Sequence, residues 1–351
     1  MLCASGAPLG HSRDPGCEGL ALPMVVFVLM VLGGLVAAAF YLGVAERRAG
    51  LATLALQEAL GTAETGVLEQ LAGWDVVRYN SMPVGSSVGD TVRRPSGEVE
   101  ATTRVERLSE SLFLLASTGW SGSGATVQVG LLVRLQPPPM APSAPLMASG
   151  PVSVGPLAEV WWSQADWTKG GCTSLRWSGA GTKFGGGNQP TGDLEDFAQW
   201  ARRATKVVTP GRYASIGPAG GKAGCTTEAP ENWGDPTGVS ACRDYRPVVL
   251  VPGDLTVVGG FGQGVLLVEG DLTVRGSFAF EGLVLVGGSF RSTGGAGRIV
   301  GSVQAGLLGE GGIWLGGRAR VVHSRCTLDR AALAAGRAVP LGSRSWLYGI
   351  K

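Results

Sequence analysis

Charge is scarce in this chain: 16% of its 351 residues are Asp, Glu, Lys or Arg, and the formal net charge is +2. Lys and Arg never form a dense run, so the electrostatic footprint of a nucleic-acid partner is missing, and that partner is set aside. Histidine occurs only as His11 and His323, which argues against a Ser-His-Asp triad and against a His-based metal centre. The cysteines show no CxxC or Cys/His spacing that would hold zinc. The glycine run GGFGQG at 259–264 lacks the Lys-Ser/Thr of a phosphate-binding loop. The GGxGxD calcium repeat does not occur, and neither does the G-X-Y period of collagen. No cofactor and no metal are expected.

What the chain has instead is apolar residues, 44% of the total, and 58 glycines, about twice the typical ~7% share. Glycine takes positive φ without steric cost, so this composition with abundant Val and Leu predicts many short strands joined by tight turns. One apolar stretch is longer than any strand. No charged residue lies between Glu18 and Glu46, and Leu20–Val44 gives 25 residues, enough to cross a ~30 Å hydrocarbon core as a helix. A cleaved signal peptide has an apolar region of only about 7–15 residues; that reading and a buried core helix are the alternatives.

The helix is expected to continue. No proline occurs from Glu46 to Trp74, and Leu60, Val67, Leu68 and Leu71 recur at helical spacing among acids, so this second half needs a partner face. Arg47 and Arg48 follow the apolar stretch while only Arg13 precedes it, which by itself would place the C-terminal side in the cytoplasm. Cysteine usage argues the other way. Cys172, Cys225, Cys242 and Cys326 lie in a Gly-rich, strand-like region and fit one or two disulfides in an oxidising compartment; three pairings of the four are open. The bulk of the chain is therefore placed outside the cytoplasm.

A polar leader ending in Gly19, the run LALPMVVFVLM, a long apolar helix and an Ala/Glu-rich continuation resemble the class III signal and stem of type IV pilins. The start is most similar to that of PilX-type minor pilin-like proteins. The resemblance implies cleavage between Gly19 and Leu20 by a prepilin peptidase, methylation of the new N-terminus, anchoring in the inner membrane, and packing of the stem against other pilin subunits. The sequence departs from the pattern at Glu18, where Lys or Arg is usual, and at Met24, which stands where major pilins carry a glutamate at the fifth mature position. The second departure points away from a major, self-polymerising pilin. Pro23 suits the first turn of a helix.

The expected fold class is α+β. After the leader (1–19) and stem (20–74), a small strand-rich head is expected over 75–135, with strands at Val99–Val105 and Thr126–Leu135. QPPPMAPSAPLMASGPVSVGP at 136–156 reads as a stiff linker and domain boundary. Residues 157–245 form an irregular segment holding Trp161, Trp162, Trp167, Trp177 and Cys172, with one helix over Asp193–Lys206. Repeats follow over 246–322: VVLVPGDLTV at 248 and VLLVEGDLTV at 265 are 17 residues apart, and LVLVGGSFRS lies a further 18 on. Such a period matches one coil of a parallel β-helix, with Leu255, Leu272 and Phe290 as one interior ladder. Residues 323–351 are expected to cap the stack.

Asp254, Glu269, Asp271 and Glu281 are expected at the corners of neighbouring coils, where a pair would reach acid/base range. Carboxylates beside turn glycines are more commonly turn-capping or solvated, so no catalytic residue is assigned and the protein is read as a non-enzyme. His323 is read as structural. The leading expectation is a membrane-anchored pilus or pseudopilus component. An adhesion or carbohydrate-binding module on a simple membrane anchor is the alternative, and a β-helix enzyme acting on polysaccharide is a third.

Overall fold

The computed structural model describes residues 21–93, 99–138, 142–163, 181–183, 194–220, 224–342 and 345–349. It is an α+β protein: a long apolar N-terminal helix followed by strand-rich sheets. Helix α1 (Ala21–Ala72) has 52 residues, about 78 Å at the standard rise. Its last turn closes with the Gly73 N–H donating to the Glu69 carbonyl at 2.8 Å. The short helix α2 (Val76–Asn80) begins at Asp75, whose side chain accepts from the Arg78 N–H, satisfying one of the orphan donors of a helix start. Four strands follow, β1 (Ser87–Arg93), β2 (Val99–Arg107), β3 (Leu112–Trp120) and β4 (Thr126–Gln136), paired antiparallel in chain order.

The partner face that the second half of α1 needs is this sheet. Ala63 and Val67 are buried with Val105, Phe113, Leu115, Val129, Leu131 and Val133, and Leu60 and Leu71 pack against that cluster, whereas Leu68 is exposed. Small residues let the two surfaces approach closely. A side chain at Gly119 would run into the backbone of Ala59 and Ala63, and one at Gly66 would meet Ser117 and Ala101. The Thr62 hydroxyl donates to the Ala59 carbonyl at 2.8 Å within the same contact.

Beyond the head the chain forms β5 (Leu146–Ala148), β6 (Val152–Val154), β7 (Glu159–Ser163), β8 (Gly181–Lys183), α3 (Leu194–Ala201), β9 (Lys206–Val207) and β10 (Gly211–Tyr213). It continues through β11 (Val248–Val251), β12 (Leu255–Val257), β13 (Phe261–Val268), β14 (Leu272–Arg275), β15 (Ala279–Val286), β16 (Phe290–Thr293), β17 (Arg298–Ala305), β18 (Ile313–Leu315) and β19 (Arg320–His323). From β9 to β18 alternate strands enter alternate sheets, giving one sheet through β9, β11, β13, β15, β17 and β19 and a second through β10, β12, β14, β16 and β18. All these pairings are parallel. Val248 faces Val265, Val265 faces Leu283, and Leu283 faces Ser302, steps of 17, 18 and 19 residues.

Burial explains the near-continuous apolar runs of the first sheet. Its inner side chains, such as Val249, Val251, Leu266, Val268, Val284 and Val286, pack on Leu255, Leu272, Phe290 and Ile313 of the second sheet. Its outer side chains Val248, Val265, Leu267, Leu283 and Leu285 are covered by Phe197 and Trp200 of α3 and by Leu328 and Ala331 of α4 (Arg325–Ala334). A parallel sheet covered on both faces has no polar side to alternate with. The ladder read from the repeats is present, with Leu255 opposite Leu272, Leu272 opposite Phe290 and Phe290 opposite Ile313.

The serial order of domains read from the sequence is corrected at two places. Part of the expected linker, 136–156, is structural: β5 pairs with β17 and β6 with β18, while β7 continues the coil beside β19. Proline is tolerated there because it needs only to accept. The Pro145 and Pro151 carbonyls each take a backbone N–H, from Val303 and Ile313, at 2.9 Å, and the missing proline donors fall on the outer edge of the last coil. The segment expected to cap the coils, 323–351, also divides. Helix α4 lies along the side of the first sheet, and β20 (Arg337–Pro340) and β21 (Trp346–Tyr348) return to β4 and complete the antiparallel sheet. The parallel sheets are thus inserted within the head. The expected helix over Asp193–Lys206 is realised as the shorter α3.

Candidate assembly surface and the residues singled out by sequence

From Leu22 to Leu56 one face after another of α1 is open. The helix is long and apolar enough to cross a membrane, and its most apolar window has no buried part. Met24, Phe27, Leu35, Phe40 and Tyr41 are among the exposed side chains. A charged collar, Glu46, Arg47 and Arg48, closes this stretch. Past the collar, Leu51, Leu54 and Leu56 remain 58%, 63% and 51% exposed, and only at Ala59 does burial against the head begin. The processing pair Gly19 and Leu20 lies outside the described residues.

Two of the four singled-out cysteines are joined: Cys225 and Cys242 form a disulfide. Cys326 is also disulfide-bonded, and Cys172 lies outside the described residues, as do Trp167 and Trp177. The Cys225–Cys242 loop covers the end of the parallel sheets that starts with β9 and β10. Asn232 donates there to the Thr226 carbonyl at 2.7 Å, and buried Trp233 packs edge-on against Phe278. Within the loop, burial would raise the Asp235 carboxyl, but hydrogen bonds from Thr237 and Ser240 outweigh it and hold that group below the ordinary carboxylate range.

The corner carboxylates are brought into a line. Asp254 Oδ1 accepts the Asp271 N–H at 2.8 Å, and Asp271 Oδ1 accepts the Ser289 N–H at 2.7 Å. Ser289 Oγ continues the line by accepting the Gly312 N–H at 3.4 Å. Each side chain thereby caps a backbone donor one coil further on. The glycine before each donating residue is required for the approach, since a side chain at Gly270 would collide with the Asp254 carboxylate and one at Gly288 with that of Asp271. Glu269 is exposed in the turn after β13. Glu281 is not at a corner but within β15, opposite Gln263 and Val300. Among the described residues no group of His, Cys, Asp and Glu is placed to hold a metal ion. His323 Nε2 lies 3.1 Å from the Pro142 carbonyl, and its ring is 4.7 Å from that of Trp162.

Sequence reasoning missed the junction between the head and the inserted sheets. Asn80 accepts from the Trp74 indole at 2.9 Å and donates to the Ala334 and Gly336 carbonyls, each at 2.9 Å. Arg107 donates to the carbonyls of Asn80, Met82 and Glu110, while Arg330 pairs with Glu110 at 2.8 Å. Burial lowers the Arg107 and Arg246 guanidinium pKa values. The partners are separated by up to 256 residues, and no local pattern signals such a contact.

No protein-family profile matches the chain, and no curated protein matches it. Among solved structures the chain is similar to the competence-associated pilin ComZ from Thermus thermophilus, at 13% identity and a TM-score of 0.27, over 85% of this chain and 98% of that one. A superposition that loose carries no weight in assigning fold or role.

Proposed function

We propose that this chain is a non-enzymatic, membrane-anchored subunit of a type IV pilus or pseudopilus, a minor pilin-like protein of the PilX type. In this reading a prepilin peptidase cuts between Gly19 and Leu20 and the new N-terminus is methylated. The stem from Leu20 to Trp74 packs against other pilin stems, and the inserted coils, read as a parallel β-helix, are displayed outside the inner membrane. The Cys225–Cys242 disulfide supports the oxidising side.

The observation that carries the reading is the trio Leu51, Leu54 and Leu56. Residues 21–44 already span about 36 Å, so the Glu46–Arg48 collar falls at the edge of a bilayer and the three leucines stand beyond it. A simple anchor would leave them in water, at a cost of about 1.5–3 kcal/mol for each side chain that burial would otherwise stabilise. Neighbouring apolar helices would cover them. The test is in vivo disulfide crosslinking of Leu51→Cys and Leu54→Cys, together with the sequence of the mature N-terminus. Adducts with another stem and a start at Leu20 are expected; an inserted protein that begins at Met1 and forms no adduct would refute the assignment.

A further inference from the structure

The outer face of the second parallel sheet is open, because α3 and α4 cover the other sheet. Thr256, Thr273, Arg291, Trp314 and Ser153 follow one another across β12, β14, β16, β18 and β6 in one row, about 4.8 Å apart. Trp314 is 44% exposed. Its six-membered ring lies across Gly316, in space that any side chain at that position would fill, so the indole rests along the sheet with its other face outward. Beside it runs a groove whose polar lining is Ser149, Ser153, Ser289, Thr293, Arg291 and Glu310.

Charge is divided across this face. Asp254 and Asp271 lie where the strands begin, each with one carboxylate oxygen already taken by a backbone N–H. Arg275 and Arg318 lie at the opposite margin and Arg291 on the face itself, all three exposed. None of the three guanidinium groups has an ion-pair or hydrogen-bond partner among the described residues. A flat aromatic platform, a hydroxyl-lined groove and unpaired guanidinium groups match the faces, hydroxyls and acid groups of a sugar acid.

We infer that this face binds an acidic oligosaccharide, with a pyranose ring stacked on Trp314 and carboxylates meeting Arg291, Arg275 and Arg318. The inference is independent of stem assembly and holds for an anchored monomer.

The test is titration of the full chain in detergent micelles with an oligogalacturonate of defined length, its methyl-esterified counterpart, and an oligonucleotide of equal charge. Saturable binding to the acid form is expected. Trp314→Ala should weaken it at least about tenfold, while Trp314→Phe retains most of it. Arg275→Gln with Arg291→Gln should abolish the preference for the acid over the ester, a readout that does not depend on the Trp314 variants folding. Absence of saturable oligogalacturonate binding, undiminished binding by folded Trp314→Ala, an acid preference that survives the double arginine substitution, or equally tight binding of the oligonucleotide would each overturn the inference.

Discussion

Gln136 and Arg337 face each other as antiparallel partners on β4 and β20. The chain therefore leaves the head sheet and re-enters it at one place, although 200 residues separate the two positions in sequence. Entry and exit side by side are the condition under which one domain tolerates another within it.

Deleting 137–336 and joining Gln136 to Arg337 through Asn-Gly should therefore leave a folded head, since a two-residue type I′ turn matches the twist of paired strands. The deletion removes the Ala334 and Gly336 acceptors of Asn80 and the packing of Leu333, so the head should be less stable than in the full chain. Circular dichroism and amide exchange of a version that also lacks residues 1–50, and so keeps the Leu60–Leu71 face of α1, would report this. A cooperative unfolding transition with β20 amides protected is expected; a chain without cooperative unfolding would contradict the insertion.

The corner line of Asp254, Asp271 and Ser289 makes a coupled prediction. Asp271→Ala removes the acceptor of the Ser289 N–H and should destabilise by about 1–2 kcal/mol. Gly288→Ala places its Cβ on the same carboxylate, so its cost should fall in the Asp271→Ala background. A double-mutant cycle in urea measures the difference; strictly additive costs would show that the carboxylate and the glycine are not a unit.

Much of the parallel region was legible because its evidence is periodic. Leu255, Leu272 and Phe290 announce their ladder at steps of 17 and 18, and Gly-Asp, Gly-Asp and Gly-Ser corners at 253, 270 and 288 precede its three rungs. The insertion was not legible, because β20 and β21 are short and identify their partner only through pairing with β4. The linker reading failed at 142–156 for a physical reason: proline content signals a missing donor, and the outer edge of a terminal coil does not require one. The apolar stem was evident from length alone, but the exposure of Leu51 and Leu54 depended on where the head begins to cover α1.

Acid should act through Asp235. Its folded-state pKa is held below the ordinary value by hydrogen bonds from Thr237 and Ser240 that outweigh burial. The stabilisation it brings is complete above the unfolded value near ~3.9 and is lost as pH falls through the lower folded value. Asp235→Asn should be less stable than the wild-type chain at neutral pH, with the gap closing in strong acid. Chemical denaturation across that range tests it, and a pH-independent gap would assign the loss to geometry instead of charge.

The closest approach of helix and sheet is at Gly119, and it yields the most direct test of how the stem is held. Any Cβ there would meet the Ala59 carbonyl, the Ala63 N–H and the Thr62 hydroxyl. The first two are backbone of α1 and cannot swing aside. Gly119→Val should force the helix off β3 and separate Val67 and Ala63 from Phe113 and Leu115, an overpacking cost of about 1–3 kcal/mol or more. By contrast, Gly122 lies in the turn after β3 with open space around it, and Gly122→Ala should be nearly neutral. The pair can be compared by thermal unfolding of a chain lacking residues 1–50, which keeps the Ala59–Val67 face of α1, and by protease cleavage near Leu60. If Gly119→Val neither lowers the transition nor exposes that cleavage, the head does not grip the stem through this contact.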